Sequence, residues 1–183
     1  HPPERAGVKT ISMASVQENE TEAIIWRGPM ITNALNQFLE MTEWGELDYL
    51  VVDLPPGTSD APLTIMQTLQ LHGFVVVTTP QDLAVMDAKR SVNMIKKMNI
   101  DILGIVENMA GPIFGEGGGE HLASDLNVPF LGRIQLDKMF SDYGKDLATL
   151  KHKNAAETYK EIAENTLNSV SESTLHNDGV VTD

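Results

Sequence analysis

The chain has 183 residues and is 42% hydrophobic but only 5% aromatic, so aliphatic side chains and 9 methionines must fill most of any core. A net charge of −13 opposes binding to a phosphate backbone or an anionic membrane, and the absence of cysteine excludes disulfides and thiolate-held metal or clusters within these residues. No apolar run approaches the roughly 18 residues of a membrane-spanning helix, and His1-Pro2-Pro3-Glu4-Arg5 leads into no apolar signal segment. The expectation is a cytoplasmic protein without nucleic-acid or membrane partners.

Val8 to Val16 reads as a strand and Gln17 to Thr21 as a loop. Trp26-Arg27-Gly28-Pro29-Met30 opens a helix, with Ile31, Ala34, Leu35, Phe38 and Leu39 at helical spacing. Asp48 to Leu54 is a short apolar run stopped by Pro55-Pro56-Gly57, the pattern of a buried strand ending in a turn. Phe74 to Thr79 is the next strand. Leu83 to Met98 is a helix with Val85, Met86, Val92, Ile95 and Met98 inward, and Ile102 to Val106 is another strand. Asn108 to Gly119 is a loop before a short helix from Glu120 to Leu126. Val128 to Ile134 is a last strand, and Asn154 to Val170 a last helix. Residues 1–170 read as one domain and Ser171 to Asp183 as a polar, disordered tail. Almost wholly apolar strands separated by amphipathic helices predict an α/β fold of three layers, a mostly parallel sheet with helices on both faces.

The segment Asp48-Tyr49-Leu50-Val51-Val52-Asp53-Leu54-Pro55-Pro56-Gly57-Thr58 carries the strongest chemical signal. A carboxylate at the C-terminal tip of a parallel strand stands where open α/β sheets bind ligands. Asp53 suits Mg²⁺ held through water while the metal bridges phosphates, although an Asp there also caps turns. Gly57, lacking a side chain, can bring its N–H close to a terminal phosphate. Gly115 to Gly119 lacks the Gly-Lys-Ser/Thr ending of a phosphate loop and reads as a mobile connection. Arg27 and Arg90 are candidate dimer or phosphate contacts, or else surface ion-pair partners. The five histidines show no metal-ligand spacing, and His121 with Glu116 or Glu120 is a poor zinc candidate.

The Asp53 segment resembles the Walker B and switch II region of the Mrp/ApbC group of P-loop ATPases, within the MinD/ParA superfamily. Trp26 to Met30, Thr78-Thr79-Pro80-Gln81-Asp82 with Asp87-Ala88-Lys89-Arg90, Glu107-Asn108-Met109 with Phe114 to Gly119, and Pro129 to Ile134 match in the same order. The likeness spans Gly7 to Asp146. It implies a MinD-like P-loop NTPase fold and a homodimer that binds and hydrolyses ATP with Mg²⁺. Its clients would be apo-proteins or factors of iron–sulfur or metallocofactor assembly. It implies that Asp53 is the Walker B acid, that Gly57 senses the γ-phosphate, and that Asn108 hydrogen-bonds adenine with both halves of its amide. The backbone of Gly132, Arg133 and Ile134 would line the base from the other side. Gln135 stands near where relatives usually carry proline, a departure that bears on that contact.

Two larger departures matter. The superfamily's Gly-Lys-Gly-Gly-Val-Gly-Lys-Ser/Thr loop, with the strand before it, is not among these residues, so the expectation is a partial domain inactive by itself. Many relatives also hold a bridging iron–sulfur cluster with Cys-Pro-x-Cys, whereas Ala110 to Ile113 contains no cysteine. The alternatives are a positioning ATPase like MinD or ParA, or a non-catalytic binding module.

Overall fold

The computed structural model describes residues 1–12, 28–54, 60–138 and 153–178. Trp26, Arg27, Gly57 and the second half of the strand expected from Val8 to Val16 lie outside them. The described chain divides into two compact units, His1–Gln70 and Leu71–Asp183.

In the first unit, β1 (Glu4–Arg5) and β2 (Val8–Lys9) form a small antiparallel hairpin. Ala6 and Gly7, with φ of 52° and 78°, make its two-residue turn, the left-handed pair that matches strand twist. The helix α1 (Gly28–Glu40) begins where Pro29 signals a first turn. Trp44 Nε1 donates to the Phe38 carbonyl at 3.0 Å, satisfying one acceptor near the helix end. A second helix, α2 (Asp60–Thr68), was not expected from the sequence; it packs on α1 and buries Ile65 and Met66.

The expected strand Asp48 to Leu54 is not formed. A strand needs a neighbour for its backbone N–H and C=O groups, and among the described residues none pairs with this segment. Its apolar side chains are accordingly poorly covered: Val51 is 89% exposed, Tyr49 and Leu50 are exposed too, and Val52 and Leu54 are only half-buried. An apolar run supplies the material of a strand but not its partner.

The second unit is the α/β body. The strands β3 (Phe74–Thr78), β4 (Ile102–Ala110) and β5 (Phe130–Gln135) form a parallel sheet in the order β3-β4-β5. The helices α3 (Asp82–Lys97) and α4 (Gly118–Leu126) pack on each other and on one face. The other face is covered by α5 (Lys153–Asp178) over β4 and β5. Thr78, Glu107 and Arg133 lie side by side in register and face α4, whereas Val106 and Gly132 face α5. Ile105, Val106, Leu131, Val92 and Leu122 form the centre of the core.

Three expectations are corrected. Met86 is 45% exposed and Ala88 takes the inward position on α3, because Ala88, Val92 and Ile95 share one helical stripe. Strand β4 continues through Ala110, so Asn108 belongs to a strand and not to the loop after it. Finally, α5 runs to Asp178, so residues 171–178 are helical and not a tail. Ser173 Oγ donates to the Asp101 carboxylate, tying that extra length to the end of the sheet.

Candidate functional site at the C-terminal edge of the sheet

Parallel strands bring all their C-terminal ends to one edge, and open α/β sheets bind ligands there. At that edge the β4–β5 ladder is irregular. Glu107 pairs with Arg133, and the next matched pair is Ala110 with Gln135. Asn108 and Met109 therefore stand opposite Ile134 alone, which is a β-bulge. Met109 takes φ of 58°, a left-handed conformation that costs a residue with a Cβ about 1–2 kcal/mol. The bulge is closed beyond by the Leu136 N–H donating to the Ala110 carbonyl at 2.8 Å.

The bulge aims Asn108. Its Oδ1 accepts the Met109 N–H at 2.9 Å, which fixes the orientation of the amide. The Nδ2 group has no protein partner among the described residues, and the oxygen keeps a second lone pair. The side chain is half-buried. Such an amide can donate to a ring nitrogen and accept from an exocyclic amine, the pair that a purine edge presents.

Sequence reasoning missed Glu107. It is completely buried, accepting the N–H of Gly117 at 3.0 Å, the N–H of Gly119 at 2.6 Å and the Nε–H of Arg133 at 2.5 Å. Burial alone pushes its carboxyl pKa up. The Gly117 and Gly119 amides and the Arg133 guanidinium outweigh that and hold it below the usual carboxylate range. The same hydrogen bond pushes the Arg133 guanidinium further up. The signal was present: an acid in the apolar run of β4 and a base in β5 must find partners when both strands are covered.

Arg133 is 26% exposed and also donates to Glu120 at 2.9 Å, with Glu116 3.9 Å away. Its guanidinium stands 5.7 Å from the centre of the Phe130 ring. With three carboxylates around it, its charge is committed within the protein. Gly132 is explained by α5: a Cβ there would come 2.6 Å from Ile162 Cγ1. Ile134, half-buried, is the residue facing the bulge.

The 115–119 segment is not the mobile connection the sequence suggested. Gly111 and Gly115 exchange N–H···O bonds of 2.9 and 2.8 Å, and Gly117, at φ of 95°, caps α4. The Gly117 and Gly119 amides hold the Glu107 carboxylate, so the anion at this helix end is the protein's own. Arg90 pairs with Asp87 at 2.8 Å on the exposed face of α3, as a surface ion pair. No group of three or more His, Cys, Asp or Glu stands ready for a metal among the described residues, His121 included.

The structure thus brings Asn108, Gly132, Arg133 and Ile134 to one edge of the second unit. Asp53 lies in the first unit, exposed in an irregular segment, and Gly57 is outside the described residues. For Mg²⁺ the described residues offer the carboxylate of Asp53. That fits an ion which usually takes one or two carboxylates, its remaining ligands being waters and substrate phosphates. For an iron–sulfur cluster the fit fails, since the 183 residues contain no thiolate. Among the described residues no helix is long and apolar enough to cross a membrane.

Comparison with known proteins agrees with this architecture. A family described as ParA, NUBPL iron-transfer P-loop NTPase, matches residues 1–167. An iron–sulfur cluster carrier protein of Methanocaldococcus jannaschii is 45% identical over 170 residues, covering 85% of this chain and 58% of that protein. One from Pseudomonas fragi is 48% identical over 145 residues, covering 74% of this chain and 50% of its own. Among solved structures, a nucleotide-binding protein from Archaeoglobus fulgidus in complex with ADP superimposes with a TM-score of 0.62 at 34% identity. That match covers 78% of this chain and 58% of the other. The chain therefore spans 50–58% of the length of these relatives. With its α/β sheet and its ordered motifs, it belongs to the ParA/NUBPL iron-transfer group of P-loop NTPases, the superfamily its Mrp/ApbC-like segments resemble.

Proposed function

We propose that this chain supplies the base-recognising side of the nucleotide site of an Mrp/ApbC-type ATPase acting in iron–sulfur cluster or metallocofactor maturation. The observation that supports this best is the Asn108 amide, held on a bulge at the C-terminal edge of a parallel sheet with its donor unpartnered among the described residues. In this reading Asn108 donates to and accepts from adenine, and the Gly132–Ile134 backbone faces the same base. Asp53 holds Mg²⁺ through water, and Gly57 reports on the γ-phosphate. Bound Mg²⁺ would neutralise charge on the phosphates.

The whole protein then works as a cytoplasmic homodimer whose nucleotide state changes its grip on a client apo-protein or assembly factor. A cluster, where one is handled, is cargo held by donors other than these residues. The curated relatives named as cluster carriers support that cellular role.

The test is ATP turnover by the full-length protein. Asp53→Ala should lower kcat by about 10–100-fold, the range for losing a group that acts on a metal through its outer shell. Undiminished turnover would remove Asp53 from the site. Iron reconstitution checks the cysteine argument separately, and stoichiometric iron bound by these 183 residues alone would contradict it.

A further inference from the structure

Glu107 has no part in the chemistry proposed above, yet it is the most heavily bonded side chain at this edge. Its carboxylate joins three segments: the end of β4, Arg133 of β5, and the Gly117 and Gly119 amides that open α4. It also forms the last matched β4–β5 rung before the ladder slips. The bulge begins at the next residue, Asn108. Without a fixed rung on that side, the extra residue of β4 can be accommodated elsewhere along the ladder, and each such slip turns Asn108 towards the opposite face. Met109, in its left-handed conformation, would favour that relaxation.

The geometry points to Glu107 as a positioning residue for base recognition: its ion pair with Arg133 pins the bulge that aims the Asn108 amide. This inference rests on the reading of Asn108 as the adenine contact. Glu107 itself has no oxygen to offer a nucleotide, because both are filled by the Gly117, Gly119 and Arg133 donors.

Glu107→Gln isolates the effect. The amide keeps the shape and one acceptor, but its NH₂ must confront either the Gly119 N–H or the Gly117 N–H together with the Arg133 Nε–H. Dissociation constants for ATP, GTP and inorganic tripolyphosphate are measured on the full-length protein, beside its Tm. The wild type should prefer ATP over GTP, and Asn108→Ala should erase up to about tenfold of that preference, the size of a lost hydrogen bond. Glu107→Gln should erase at least about threefold of it and leave tripolyphosphate affinity unchanged.

The failures are distinguishable. A preference that is absent, or unmoved by Asn108→Ala, removes the base-site reading and this inference with it. A preference lost in Asn108→Ala but intact in Glu107→Gln overturns the positioning role alone. An equal loss for all three ligands shows a structural role only and overturns it as well. Should Glu107→Gln not fold, Arg133→Lys serves, because it keeps the charge but loses the Nε–H bond to Glu107. A preference intact in that variant overturns the inference.

Discussion

The residue on which the second unit turns is Glu107. Removing one member of a buried ion pair leaves the other charge uncompensated, which costs about 3–5 kcal/mol. Glu107→Ala, which also orphans the Gly117 and Gly119 amides, should fall in that range by urea denaturation, and well above an exposed change such as Arg90→Ala. The pH dependence follows from the depressed carboxyl. A group whose folded pKa lies below its unfolded value stabilises the fold above the unfolded value, ordinarily 4.5, and loses that contribution as pH falls through the folded one. Urea midpoints measured from pH 7 downward should therefore fall most steeply below 4.5 in the wild type, and less steeply in Glu107→Gln. Equal slopes in the two proteins would remove Glu107 as the source.

At the scale of elements, two glycines set how closely helices approach the sheet. A Cβ on Gly132 would press on the Ile162 side chain, and Gly132→Ala should cost about 1–3 kcal/mol. A Cβ on Gly118 would lie 2.4 Å from the Pro80 carbonyl oxygen, a backbone atom with little freedom. Both substitutions should lower the Tm, and Ile162→Ala should relieve only Gly132→Ala, and that in part, because the φ of 150° at Gly132 strains any residue with a Cβ. The sheet and its helices were legible because β3, β4 and β5 are apolar runs bounded by turn residues and α3 to α5 repeat at helical spacing. What could not be read from one chain's pattern is pairing. Asp48 to Leu54 has the composition of a strand without a partner among the described residues, and the Asn108 bulge exists only because β5 has one residue where β4 has two. Helix α2 was obscured by Pro62 and by the shortness of its apolar stripe. For the site, resemblance named Asn108 and the Gly132–Ile134 stretch, and the fold sets them on neighbouring strands. Glu107 was legible only as a charge out of place in an apolar strand.

For the molecule as a whole, β3 is an edge of the described sheet, and Val77 on its open face is 59% exposed. Exposed apolar edges template association with other chains. The 183-residue chain prepared alone should therefore associate, and Val77→Lys should shift it towards monomer by light scattering. An unchanged distribution would place the sticky surface elsewhere. The net charge of −13 adds a further expectation: the 183-residue chain should show no retention on duplex DNA at physiological salt. The central proposal is that the bulged end of β4 reads adenine. A crystal structure of the full-length protein with ADP and Mg²⁺ tests it most directly. The adenine edge should lie within about 3.2 Å of the Asn108 amide, with the Glu107–Arg133 pair intact beneath it. A base bound away from the ends of β4 and β5, with Asn108 turned to solvent, would contradict it.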